Sequence, residues 1–78
     1  MHYRDFKKIE NKKYYISTND TLDAGPETMI FEMDGDDIDW TGIYTRRYKN
    51  MEIAAEWHKK IISNLEKYIK GDNQWKVQ

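Results

Sequence analysis

Hydrophobic and polar residues alternate most regularly in the middle of the chain. Between residues 28 and 33, every second position is apolar, at Met29, Phe31 and Met33. A period of two is typical of a β-strand with one apolar face. Residues 13–18 are rich in β-branched and aromatic residues, which also favour a strand. The pattern therefore predicts two strands and assigns Met29 and Phe31 to the core.

Turn-forming residues separate the predicted strands. Residues 19–26 gather Asn, Asp, Gly and the only proline, a composition typical of a loop. Asp34-Gly35 is a favoured hairpin turn, because glycine accepts a positive φ without steric cost. Residues 38–48 are predicted to return as a third strand, with a bend or bulge near Thr41-Gly42.

A period of three to four residues replaces the period of two after Asn50. This spacing predicts an amphipathic helix, with Asn50 as its N-cap and Gly71 at its end. The apolar stripe of this helix contains Ala54, Trp57, Ile61, Leu65 and Tyr68.

The first eleven residues leave two structures open. Tyr3, Phe6 and Ile9 are spaced by three, as on a helix, but short strand pairing fits equally well. Together the elements predict an α+β fold. It consists of a small three-stranded antiparallel sheet in the order β-β-β-α, with one C-terminal amphipathic helix packed on one face. Residues 1–78 form a single small domain in this prediction, with flexibility expected in residues 1–11 and 72–78.

Composition restricts the class of protein more than it restricts the function. A chain of 78 residues has room for one small core, near the lower size limit for independent folding. It contains no cysteine, which fits a reducing compartment. Eleven aromatic side chains argue against disorder, since each buries a large area. No apolar run is long enough to span a bilayer. We expect an intracellular protein that does not enter a membrane.

Charge is distributed unevenly, although the net charge is only −1. Residues 20–39 carry eight acidic groups and no basic group, whereas the segments on either side are net positive. Three of these acids, Asp34, Asp36 and Asp37, lie at the predicted hairpin tip. They do not follow the ligand order of a calcium-binding EF-hand loop, and no His/Cys cluster fits zinc. The sequence therefore predicts no metal and no cofactor.

His58 is the obvious candidate for acid–base chemistry, because histidine titrates near neutral pH. Nucleophilic catalysis needs a paired nucleophile, however, and the chain has neither a cysteine nor a serine in a nucleophile elbow. We interpret His58 as a residue that packs against the sheet and donates to a backbone carbonyl. The sequence predicts no catalytic residue and no enzymatic activity.

A series of short motifs extends over most of the chain. It consists of Ile16–Thr18, Glu27–Phe31, Trp40, Arg47-Tyr48, Ala54 and His58. In order and spacing the series resembles a class of small bacteriophage and prophage proteins, although Trp57 stands where that class usually has glycine. The resemblance implies a phage or prophage origin and the cytoplasm of a bacterial host. It implies no particular activity.

Aromatic residues exceed the needs of so small a core. On the predicted third strand, Tyr44, Arg46 and Tyr48 share one face, and such a row is typical of a contact surface. The alternative for each tyrosine is a position at the edge of the core, with its hydroxyl in water.

The primary hypothesis is a non-enzymatic phage-type accessory protein that binds a protein, either a host factor or a second copy of itself. The second hypothesis is single-stranded nucleic-acid binding through a Tyr/Arg/Trp face of the sheet. The predicted contact residues are Trp40, Tyr44, Arg46, Tyr48, Asp34, Asp36 and Asp37.

Overall fold

The chain folds into an antiparallel sheet followed by two consecutive helices. The computed structural model describes residues 2–21, 23 and 25–70. The elements are β1 (His2–Ile9), β2 (Lys12–Thr21), β3 (Gly25–Asp34), β4 (Asp37–Ile38), β5 (Tyr44–Arg47), α1 (Met51–Ser63) and α2 (Leu65–Ile69). The predicted α+β class, with an antiparallel sheet and a C-terminal helix, is confirmed.

The sheet has more strands than the three that the sequence predicts. The N-terminal segment, left open between helix and strand, is strand β1, which pairs with β2 over its whole length. The spacing of three between Tyr3, Phe6 and Ile9 does not indicate a helix, because these side chains are divided between the two faces of the sheet. Phe6 contacts Tyr15 on one side of the sheet, whereas Ile9 packs against the core on the other.

The predicted third strand is two short strands, β4 and β5, which both pair with β3. The interruption lies where a bend was predicted, and Gly42 within it has a φ of +81°. The backbone on either side remains attached to β3. The amide of Asp39 donates to the carbonyl of Glu32 at 2.9 Å, and that of Ile43 donates to Ile30 at 2.8 Å.

The two helices cover only one face of the sheet, which we call the helix-covered face. Its core consists of Tyr14, Ile16, Ile30, Tyr44, Ile61 and Leu65. The opposite face, which we call the open face, carries a smaller cluster of Tyr15, Phe31 and Met33, with Met29 and Ile38 packed against it.

The prediction that Met29 and Phe31 belong to the core is confirmed, since Phe31 is buried and Met29 packs against its cluster, but this cluster is the smaller one, on the side away from the helices. The alternation in β3 identifies two faces but does not say which of them a helix covers. Ile30, between these two residues, points toward the helices and is fully buried.

Helix α1 begins as predicted. The Asn50 side chain accepts a hydrogen bond from the amide of Ile53 at 2.9 Å, which satisfies one free donor of the first turn. Ala54, Ile61 and Leu65 are buried as the helical stripe predicts. The helix is broken at Asn64, and the predicted end at Gly71 lies outside the described residues, as does the segment 72–78. No helix within the described ranges is long and apolar enough to cross a membrane.

Candidate binding surface

Four aromatic rings form a continuous row across the open face. Phe6 stacks on Tyr15 with ring centroids 5.0 Å apart, and Tyr15 stacks on Phe31 at 5.9 Å. Trp40 meets Phe31 edge to face at 5.1 Å and Tyr15 at 6.1 Å. Tyr15 and Phe31 are buried, whereas Phe6 and Trp40 remain 57% and 66% exposed. The row therefore ends in two large apolar surfaces in contact with solvent.

The loop between β4 and β5 places Trp40 on this row. Gly42 approaches the sheet so closely that a Cβ atom there would lie 3.1 Å from Met29 Cε and 3.6 Å from Phe31 Cε1. The amide of Thr41 donates to the Asp39 carboxylate at 3.0 Å, and this hydrogen bonding lowers the pKa of Asp39. Close approach and local hydrogen bonds hold the loop against the sheet.

Basic side chains border the aromatic row. Strand alternation places four of them on the open face: Arg4, Lys8, Lys13 and Arg47. The Lys13 ammonium lies 6.0 Å from the centre of the Phe6 ring, at the outer limit of a cation–π contact. Glu27 shares this face and pairs with Arg47 at 3.5 Å. The strand residues of the open face thus carry four basic groups and one acidic group, although the whole chain has a net charge of −1.

An open groove of about 400 Å³ lies on this face beside Trp40. Met29 and Phe31 form part of its apolar lining. The Arg4 guanidinium donates from Nε to His2 Nε2 at 3.2 Å, within the same groove. Desolvation and this guanidinium lower the pKa of His2. The polar lining consists of His2, Arg4, Ser17, Asn19 and Glu27.

Tyr44, Arg46 and Tyr48 do share one face, as the sequence predicts, but it is the helix-covered face. Tyr44 is only 6% exposed, and its hydroxyl accepts a hydrogen bond from Arg46 Nε at 2.8 Å. The Arg46 guanidinium lies 3.9 Å from the centre of the Trp57 ring. These three side chains are therefore engaged with the chain's own helices.

The remaining predicted contact residues lie elsewhere. Trp40 is on the open face, and Asp34, Asp36 and Asp37 are exposed around the β3–β4 turn. The structure does not bring the seven predicted residues into one surface. It places on the open face two residues that sequence reasoning missed, Phe6 and Arg4. Phe6 and Arg4 occupy alternate positions of β1 and therefore share a face of the sheet. The sequence alone does not show this, because the pairing of β1 with β2 must be known first.

Tyr48 begins a chain of buried hydrogen bonds beneath the helix. Its hydroxyl donates to Thr28 Oγ1 at 2.9 Å, and the hydroxyls of Thr28 and Thr18 are 2.5 Å apart. Thr18 Oγ1 is 2.7 Å from His58 Nδ1, and His58 Nε2 is 2.8 Å from an Asp5 carboxylate oxygen. Burial raises the pKa of Tyr48 to about 12. We call this the polar chain; four of its five residues belong to the motifs that carry the resemblance.

The prediction for His58 is partly corrected by this geometry. The ring packs against the sheet as expected, but its partners are the Thr18 hydroxyl and the Asp5 carboxylate rather than a backbone carbonyl. With the proton on Nε2, each hydroxyl donates to the next acceptor and every member is satisfied. A local pattern does not reveal these partners, which are 40 and 53 residues away in sequence.

Carboxylate, imidazole and hydroxyl occur here in the order used for nucleophilic catalysis. A nucleophile must reach its substrate, however, and both Thr18 and Thr28 are 0% exposed. We therefore interpret the polar chain as structural, because it fastens β1 to helix α1. Within the described ranges, no group of three or more His, Cys, Asp or Glu side chains is arranged to hold a metal ion.

Comparison of the chain with protein-family models, with curated proteins and with solved structures gives no match.

Proposed function

We propose that this protein is a non-enzymatic binding protein that holds single-stranded nucleic acid on the open face of its sheet. The observation that carries the proposal is the aromatic row with basic side chains along its borders. A phage or prophage origin and a bacterial cytoplasm belong to the same proposal and rest on the resemblance alone.

Single strands are bound by two complementary means. Unpaired bases stack on aromatic side chains, whereas lysine and arginine neutralise the phosphates. Phe6 and Trp40 offer exposed rings for stacking, and Arg4 and Lys13 lie on the same face. An open antiparallel sheet with helices on its other side is also a common platform for this kind of binding.

Protein binding, including self-association, is the second candidate. The exposed rings of Phe6 and Trp40 favour it, because aromatic residues are enriched at the centres of protein interfaces. The net positive charge of the strand residues on the open face opposes the stacking of two copies through this face, since like charges would meet. That charge is the reason to prefer a polyanionic partner.

The test is a titration of labelled oligothymidylate followed by fluorescence anisotropy, at about 50 and 200 mM salt. We expect binding that weakens as salt rises. Trp40→Ala should remove stacking and lower affinity roughly five- to tenfold or more. Lys13→Gln should lower affinity and reduce the salt slope by about 0.7.

Lys59→Gln is the matched control for charge, because it removes one cation from the exposed side of α1. Its effect on affinity and on the salt slope should be smaller than that of Lys13→Gln. Absence of binding at low salt would overturn the proposal, and so would equal effects of the two lysine substitutions. Dimerisation that Trp40→Ala abolishes, without any nucleic-acid binding, would establish the protein-binding alternative instead.

A further inference from the structure

The groove beside Trp40 combines one acidic and one basic group on opposite walls. We propose that it receives a guanine base of the bound strand, an inference that rests on the proposed function. Its volume of about 400 Å³ is within the range of small-ligand sites. Trp40 lines the groove and is 66% exposed, so a base entering it has an aromatic surface to stack on.

The sheet register fixes the two walls. Arg4 lies on β1 and Glu27 on β3, with Ser17 and Asn19 of β2 between them. Arg4 pairs with Ser17 and Glu27 pairs with Asn19, so the two walls are diagonal to each other, two strand spacings apart and two residues apart along the strands. Their Cα atoms are therefore separated by roughly 12 Å. A planar purine with a hydrogen bond at each end fits that distance.

Guanine matches these walls better than the other bases do. Its N1–H and N2–H are adjacent donors, which suit a carboxylate such as Glu27, and its O6 and N7 are acceptors, which suit a guanidinium such as Arg4. Adenine and cytosine each offer one exocyclic amino group, and thymine and uracil offer one ring N–H. None of them presents two neighbouring donor groups to a carboxylate.

Both polar groups have capacity left for a ligand. The Glu27 contact with Arg47 is long, at 3.5 Å, and uses only one carboxylate oxygen, Oε2. Arg4 contacts His2 through Nε at 3.2 Å and Nη2 at 3.4 Å, and Asn19 adds an amide with both donor and acceptor atoms to the groove.

The experiment compares oligothymidylate with the same strand carrying one central guanine, adenine or cytosine. We expect the guanine strand to bind about tenfold more tightly than the others. Glu27→Gln should abolish that preference and raise the affinity for plain oligothymidylate, because it removes a negative charge from the surface. A purely electrostatic role for Glu27 would change affinity for all strands equally.

Glu56→Gln on the exposed side of α1 is the matched control, and it should preserve the preference for guanine. Salt-dependent binding with no preference among bases, or with a preference for another base, overturns this inference and leaves the proposed function standing. Preference for guanine that persists in Glu27→Gln also overturns it. Absence of binding to every strand overturns both proposals.

Discussion

Both faces of the sheet carry aromatic and aliphatic side chains, but the two faces differ in how far these side chains are buried. On the helix-covered face, aliphatic and aromatic side chains meet the helices, and buried polar groups such as Thr18 and His58 have hydrogen-bond partners. On the open face, the smaller cluster ends in the exposed rings of Phe6 and Trp40. Among the described residues, helices cover one face, whereas the other exposes the apolar surfaces of Phe6 and Trp40.

The difference indicates which face contributes most to stability and which face is available for the proposed binding. A buried side chain contributes through the area removed from water and through close packing, and both are largest beneath the helices. Exposed rings contribute little to folding but make large contact areas for a ligand. We therefore expect substitutions of buried residues on the helix-covered face to unfold the protein, and substitutions of the exposed rings Phe6 and Trp40 to affect mainly the proposed binding.

The largest expected effect separates the two faces directly. Ile30→Ala removes a fully buried side chain beneath the helices and should lower the free energy of unfolding by about 2–5 kcal/mol. Trp40→Ala should cost about 1 kcal/mol or less, because the ring is mostly exposed. Urea denaturation of both variants measures the two losses. Equal losses would show that the open face carries as much of the core as the helix-covered face.

Two threonine substitutions, one at a buried and one at an exposed position, test the same difference for polar side chains. Thr28→Val keeps the shape of the side chain but removes the hydroxyl that links Thr18 with Tyr48. It should cost about 1–3 kcal/mol, since buried partners lose a hydrogen bond. Thr45→Val, at an exposed position on β5, should change stability by no more than about 0.5 kcal/mol. A neutral Thr28→Val would mean that the polar chain does not stabilise the fold.

The third prediction concerns alkaline pH. Burial raises the pKa of Tyr48 from its ordinary value of 10.0 to about 12, so the folded state retains this proton where the unfolded state loses it. The resulting stabilisation is present below pH 10 and is lost as pH rises from 10 toward 12. Chemical denaturation across this interval should show a steeper fall for the native protein than for Tyr48→Phe. Parallel pH profiles for the two proteins would contradict the burial of this phenol.

Local signals account for the parts of the fold that the sequence predicts well. Asn50 caps the helix through an atom three residues from its partner. The predicted turn after β3 is present, but its two residues are Gly35 and Asp36, because Asp34 still pairs with Asp37. The strand at residues 28–33 follows from a period of two, and the strand at residues 13–18 follows from its β-branched and aromatic residues. These capping, turn and strand signals involve residues only a few positions apart, so a short segment of sequence is enough to predict them.

The remainder depends on long-range packing. Apolar residues occupy both faces of β3, so its pattern does not reveal which face the helices cover. Tyr44 was predicted on a contact surface, but helix α2 covers it. The polarity of threonine alone would predict that Thr18 and Thr28 are exposed. In the structure, their hydroxyls form a hydrogen bond with each other beneath the helix. The open face emerges only once β1 is paired, because Phe6 then meets Tyr15.

The two faces carry separate tryptophans in very different electrostatic surroundings. The centre of the Trp57 ring is 3.9 Å from the Arg46 guanidinium and 4.8 Å from the Lys60 ammonium. Trp40 instead contacts the Tyr15 and Phe31 rings, is largely exposed to solvent and lines the groove that also contains Arg4 and Glu27. Because cations surround one indole and solvent surrounds the other, we expect the two emission spectra to differ. In a Trp75→Phe background, the protein therefore contains one fluorescent reporter of folding and another of ligand binding.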